Sequence, residues 1–299
     1  FSSGMQRLEG FLKDPNRQKI AHDVKPLYRS ALAAGTEIQG LYCDTKIAAY
    51  LLEPGSAPGY TVGDTVSRYL RISIDEAPAE LQAGEQACLT LGEDDKRRVS
   101  REAVAVRAVA PALEEQLSNQ GIWELATNLE FPLVKVLARM EHNGILVDRG
   151  YLEKLNREFG QKMVTLEGTI QRLADENFKV NSQPQLQRIL FEKLGLPKTR
   201  KIKTGYSTDA AELEKIAGAH PIIASLLEYR EVSKLKTGFT EMLLELIDPK
   251  TNRIHTTYEQ TTAATGRLSS TAPNLQNIPI RGEMGRQIRR AFIAPPDHV

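Results

Sequence analysis

Between Thr261 and Arg281 the chain reads TTAATGRLSSTAPNLQNIPIR, with two arginines, six Ser/Thr hydroxyls, two asparagines and one glutamine. The span has no acid and no apolar run long enough for a core helix. Such a segment calls for a polar, anionic partner. A second cationic stretch, Lys193 to Thr208, holds Lys193, Lys198, Arg200, Lys201 and Lys203 and again no acid. Gly195, Pro197 and Gly205 make it a loop, and a cationic loop is suited to phosphate contact. Turn capping around Pro273 and Pro279 would equally use the local Asn and Ser side chains. His142 and His255 have no partner at metal spacing and are expected to be structural. Cys43 and Cys88 match no metal or redox spacing, so reduced thiols are expected.

These residues must be positioned by something larger. At 299 residues the chain is long for one core, and two domains are expected. A net charge of +1 removes any global nucleic-acid signature, so basic surface must come from local clusters. No apolar run approaches a membrane span, and FSSGMQRLEG is not a signal peptide. To about residue 125 the pattern is α/β. EIQGLYCDT reads as a strand, KIAAYLLE as a short helix stopped by PGSAPG, and the run from Ser100 as a helix in which Pro111 marks a kink or restart. From Tyr151, Leu152, Leu155, Phe159, Met163, Leu166, Ile170 and Leu173 form one apolar stripe on a long helix, with Asp148 as N-cap and Asn177 near its end. A second long helix is expected from Pro221 to Ile247, antiparallel to the first, with a small subdomain at the tip; an ordinary helical bundle is the alternative.

AATGRLSSTAPNLQNIPIR, from Ala263, resembles a motif of the family A DNA polymerases. FPLVKVLARMEHNGILVD is similar to that family's lead-in to the palm. SQPQLQRILFEKLGLP and KTGYSTDAAELEKIA resemble its thumb tip, and REVSKLKTGF its returning thumb helix. The resemblance implies an RNase H-like α/β exonuclease-like domain over 1–125. It implies an N-terminal polymerase part over 126–299, with palm lead-in 126–150, thumb 151–250 and return to the palm 251–299.

The resemblance also implies roles. Arg267 is expected at the minor groove of the primer terminus, where acceptors sit at nearly equivalent places for every correct pair, so a donor there senses pair geometry without reading sequence. Asn274, Gln276 and Asn277 would serve the same groove or nearby sugars and phosphates, Ser269 and Ser270 phosphate oxygens, and Arg281 phosphate or template. Lys234 and Lys236 would face the duplex backbone, though a solvated helix face explains them equally well locally, and Lys201 and Lys203 belong to the cationic loop already read as suited to phosphate. The implied partners are primer-template DNA and deoxynucleoside triphosphates, for a monomer in the bacterial cytoplasm near the nucleoid. Two Mg²⁺ ions would be held by aspartates beyond Val299, so this portion alone is expected to be inactive.

Proofreading in such a family needs carboxylates from three motifs. The first would lie before Phe1. In KIAHDVKPLYRSA Lys25 is kept but Leu27 stands at the acid's place, and SREAVAVRAVAPAL lacks the third motif's Tyr and Asp. Asp44 alone cannot hold two ions, and Asp23, the candidate substitute, is expected on another face. Proofreading is therefore expected to be lost. An RNase D-like exonuclease is disfavoured for the same reason. A non-catalytic nucleic-acid-binding module derived from the thumb is the alternative to a polymerase.

Overall fold

The computed structural model describes residues 2–57, 59–74, 93–296 and 298. Cys88 lies outside the described residues; Cys43 is a buried free thiol. In chain order the elements that matter here begin with α1 (Ser2–Lys13), β1 (Lys19–Ala21), α2 (Lys25–Ala33), β2 (Leu41–Asp44) and α3 (Thr45–Leu52). They continue with α4 (Val62–Leu70), α5 (Glu93–Asn119), α6 (Phe131–Asn143), β3 (Ile145–Leu146) and α7 (Arg149–Ala174). Then come α8 (Gln183–Gln187), β4 (Lys201–Ile202), β5 (Gly205–Tyr206), α9 (Ala210–Glu214), α10 (Pro221–Leu235) and α11 (Met242–Leu246). Last are β6 (Arg253–Ile254), β7 (Thr257–Glu259), β8 (Ser269–Thr271) and α12 (Glu283–Arg289). The protein is mostly helical, with two-stranded sheets among the described residues.

Two compact units emerge: Phe1–Gly144 with His255–Gln276, and Ile145–Ile254 with Asn277–Val299. In the first, β1 and β2 pair in parallel, and α2, α3, α5 and α6 supply an apolar core that includes Ile47, Leu113, Leu117, Phe131 and Val134. Helix α5 runs through Pro111 without ending. The polar segment enters this unit as the antiparallel pair β7–β8, in register Thr257↔Thr271, Tyr258↔Ser270 and Glu259↔Ser269.

The second unit is built on α7 and α10. Asp148 caps α7 by accepting from the Tyr151 amide, as its sequence position predicts. The helix stops at Asp175, in the left-handed region at φ 50°, two residues before Asn177. The stripe is buried as expected, with Leu152, Leu155, Phe159 and Ile170 fully covered and Met163, Leu166 and Leu173 half-buried. The pairings Lys162–Glu228 at 2.6 Å and Asn156–Thr240 at 2.7 Å fall on rising numbers of one helix and descending numbers of the other, so the two helices run antiparallel. The second helix is not uniform. Between α10 and α11, Lys236–Glu241 forms a wider π-helical turn. Thr237 and Thr240 donate to the carbonyls of Ser233 and Lys236, competition with the backbone ladder that loosens a helix.

Candidate nucleic-acid interface

In the first unit the loop between β7 and β8 is fastened at both of its ends and across its middle. Gln260 donates to the carbonyl of Glu130 at 3.2 Å and to its carboxylate at 2.9 Å. The Tyr50 hydroxyl, on buried α3, donates to the carbonyl of Ala263 at 2.6 Å, and burial holds it protonated by raising its pKa. Gly55 sits at φ +76°, and a Cβ there would lie 2.9 Å from that of Ala264. The Gly266 amide closes a turn onto Ala263, 3.3 Å away. Arg267 follows at once. Its guanidinium is exposed and has no hydrogen bond or ion pair among the described residues.

The side chains beyond Arg267 divide by what they touch. Ser270 is fully buried. Its hydroxyl meets Thr256 Oγ1 at 2.7 Å, reaches the Pro273 carbonyl at 3.2 Å and accepts from the Leu275 amide. It shapes the turn. Ser269 Oγ is buried and has no hydrogen bond among the described residues. Asn274 accepts from the Gln276 amide at 3.0 Å, while the Gln276 side chain donates to the Leu268 carbonyl at 2.9 Å. These amides brace the turn that carries Arg267.

Strand β7 is gripped from below by a buried charge. Glu141, on α6, is fully covered; its Oε1 takes the Lys25 ammonium at 2.6 Å and the Tyr258 amide at 2.8 Å. Lys25 also donates to the Tyr258 carbonyl, and Arg29 stands 3.2 Å from Glu141 Oε2. His255 Nδ1 lies 2.7 Å from the Glu141 carbonyl, which can only accept, so Nδ1 carries the proton. That is the structural role expected for His255. Sequence reading missed Glu141 and Tyr50. The signal for Glu141 was present: Phe131, Val134 and Ala138 mark the buried face of α6, and an acid at the next position on that face requires a partner.

A shallow pocket beside β7 is lined by Asp23, Lys25, Asp44, Lys46 and Glu259. Asp44 caps α3 and accepts from the amides of Asp23, Val24, Lys46 and Ile47. Asp23 shares this pocket rather than another face, but Lys46 pairs with it at 3.2 Å. Lys25 and Lys46 reach Glu259 at 3.9 and 4.0 Å. The Lys46 ammonium thus already neutralises the Asp23 carboxylate that a cation would need. Among the described residues no three His, Cys, Asp or Glu side chains come together as metal ligands, so these residues do not fit a two-ion site.

In the second unit the cationic stretch expected as a loop contains the hairpin β4–β5. Lys193 pairs with Glu176 at 3.2 Å, Arg200 lies 3.8 Å from Asp209, and Lys198 stands 5.3 Å over the Tyr206 ring. Lys201 and Lys203 are exposed, and no pairing engages their side chains among the described residues. Gly205, at φ +129°, lets the hairpin close against Gln187, which donates to the Tyr206 carbonyl at 2.8 Å. On the returning helix Lys234 is exposed and unpaired among the described residues, whereas Lys236 pairs with Glu241 and lies against Gly160. Asn277 and Arg281 are exposed. Arg289 holds the backbone between them by donating to the carbonyls of Ile278 and Pro279 at 3.1 and 3.0 Å. Among the described residues no helix is long and apolar enough to cross a membrane.

The profile of DNA polymerase family A matches residues 149–299. The chain is 38% identical over 285 residues to a protein named DNA polymerase I from Bacillus subtilis, covering 95% of this chain and 32% of that one. It is 39% identical over 294 residues to DNA polymerase I from Geobacillus stearothermophilus, covering 96% of this chain and 33% of that one. It thus spans about a third of the length of these curated relatives. The polymerase domain of Pol1 from M. smegmatis, solved with DNA primer-template and dNTP, matches with a TM-score of 0.80 and 37% identity, over 98% of this chain and 48% of that chain.

Proposed function

From the premise that this chain belongs to DNA polymerase family A, we propose that it is the duplex-gripping part of a template-directed DNA polymerase serving replication and repair. The carrying observation is Arg267: an exposed guanidinium, unpaired among the described residues, presented by a turn braced by Tyr50 before it and Gln276 after it. A donor fixed in that way suits the minor groove of a primer terminus, where correct pairs of every sequence offer acceptors at common positions. Ser269, Asn274 and Gln276 follow it in the same unit, and Asn277, exposed in the second unit, offers a further amide for the groove. Lys201, Lys203, Lys234 and Arg281 are exposed cations whose side chains have no partner among the described residues, and they suit phosphate contact. Lys236 joins them only by leaving Glu241.

On this reading residues 1–125 form an RNase H-like exonuclease-like domain that has lost proofreading, and the palm and thumb follow over 126–299. The lysines beside Asp23 and Asp44 support the loss. The neighbour solved with primer-template and dNTP supports those partners. Two Mg²⁺ ions would supply the charge that activates the primer hydroxyl, and among the described residues no three His, Cys, Asp or Glu side chains come together to hold them.

The test is Arg267→Ala in the intact polymerase. Hydrogen bonds to charged groups contribute roughly 1.5–3 kcal/mol, so extension should slow about 10- to 100-fold. Duplex affinity, spread over many phosphate contacts, should fall less than about threefold. Equal losses in binding and extension would refute the terminus-sensing role.

A further inference from the structure

We infer that Tyr50 is a positioning residue for primer-terminus sensing, acting through the turn that presents Arg267; this rests on the function proposed above. Every contact in the inference lies within the first unit. Tyr50 projects from α3, whose core positions are packed among Ile47, Ala48, Ala49 and Leu52. It is itself buried, and its ring meets Tyr60 edge-on with centroids 5.8 Å apart. Only the hydroxyl reaches outward. It donates to the carbonyl of Ala263, the first residue of the turn, and the same carbonyl takes the amide of Gly266, the last. Thus one buried side chain pins the carbonyl onto which the turn immediately before Arg267 closes.

A second contact fixes the direction of approach. Gly55 follows α3 by three residues and allows Ala264 to sit where a larger side chain would collide. The α3 segment, which carries Asp44 at its N-cap, is therefore the surface against which the turn is set. The physical consequence is orientational. An arginine on a free loop loses most of its advantage to the entropy of finding the groove, whereas a pre-set backbone leaves only side-chain rotamers to order. The exonuclease-like domain, with no metal cluster among its described residues, thereby keeps a role in synthesis: it holds the sensing turn.

The experiment is a double-mutant cycle in the intact polymerase, reading single-turnover extension and duplex affinity for wild type, Tyr50→Phe, Arg267→Ala and the pair. Tyr50→Phe keeps the ring and removes the hydroxyl. It should slow extension about two- to tenfold, the range of one hydrogen bond, with duplex affinity unchanged. In the Arg267→Ala background the same substitution should do nothing further, because residues acting as one unit are not additive. Gly55→Ala, which pushes the turn from its other side, should repeat the pattern. A structural effect of Tyr50 alone would persist undiminished in the Arg267→Ala background, and that additivity overturns the inference while leaving the polymerase reading intact. A Tyr50→Phe enzyme at wild-type rate overturns it likewise. An Arg267→Ala enzyme at wild-type rate removes the terminus-sensing role and this inference with it.

Discussion

Lys25→Met tests the clamp beneath β7. The Glu141 side chain is fully buried and that of Lys25 is 10% exposed, with 2.6 Å between Nζ and Oε1. At that separation the gross attraction is about 6 kcal/mol for an effective dielectric near 20. Desolvation of the lysine offsets part of it. Removing one partner of a buried pair nevertheless costs about 3–5 kcal/mol, because the other charge is left uncompensated. Here Arg29 still faces Oε2 at 3.2 Å, and the Tyr258 amide still donates to Oε1, so the lower end, about 3 kcal/mol, is expected. The assay is urea unfolding followed through Trp123. It is the chain's single tryptophan, packed 5.7 Å from Tyr42 and 6.1 Å from Phe131 in the first unit. With a slope of about 2 kcal/mol/M the midpoint should drop by roughly 1.5 M. Adding Glu141→Gln to Lys25→Met should recover part of the loss, since no unpaired charge is then buried. A loss under about 1 kcal/mol, or a double variant equal to the sum of its singles, would refute the clamp.

Three further outcomes follow from the same geometry. Lys201→Ala and Lys203→Ala should each weaken duplex binding regardless of sequence and lower the magnitude of the salt slope by about 0.9; an unchanged slope would place those ammonium groups off the phosphates. Ser270→Ala removes a hydroxyl that serves Thr256, Pro273 and Leu275, and should cost about 1–3 kcal/mol in the Trp123 transition; a cost near zero would mean the turn is set elsewhere. Tyr28, pushed up to about 12 by burial, and Tyr42, pushed up to about 12 by its bond to Glu114 and by burial, favour the neutral phenol in the folded state. Their contribution is present below the ordinary tyrosine pKa near 10 and is lost as pH rises toward 12, so stability should decline across that window. If absorbance at about 295 nm showed every tyrosine of the folded protein ionising near pH 10, the burial of Tyr28 and the Tyr42–Glu114 bond would be disproved.

The stripe from Leu152 to Leu173 was legible because a helix repeats every 3.6 residues and one face must be dry, and Asp148 was legible because a capping carboxylate needs only its own neighbours. The π-helical turn at Lys236–Glu241 was hidden, since it arises from threonine hydroxyls bonding back to carbonyls within a sequence that still reads as helix. For the site, composition showed that the span from Thr261 is cationic and acid-free, and the resemblance singled out Arg267. It could not tell a presenting side chain from a bracing one. Ser269 and Ser270 are adjacent and identical, yet the second is consumed by three partners that lie up to fourteen residues away. Likewise, the neutralising of Asp23 depends on Lys46, brought near by the β1–β2 pairing and not by spacing.

The first unit's division in sequence has a consequence for how the protein is made. Lys25 is separated by 116 residues from Glu141 and by 233 from Tyr258, and Tyr50 by 213 from Ala263. At ribosomal rates of about 5–20 residues per second, Lys25 waits roughly 12–47 s for the strand that completes its surroundings. For about the second half of that interval Glu141 is present without the Tyr258 amide, and by its end everything in the second unit up to Ile254 has been synthesised. The β7–β8 pair is thus the closing piece of a body begun at the other end of the chain. A nascent chain stalled before His255 should leave that body open, exposing to proteases and chaperones a surface that the finished protein never shows.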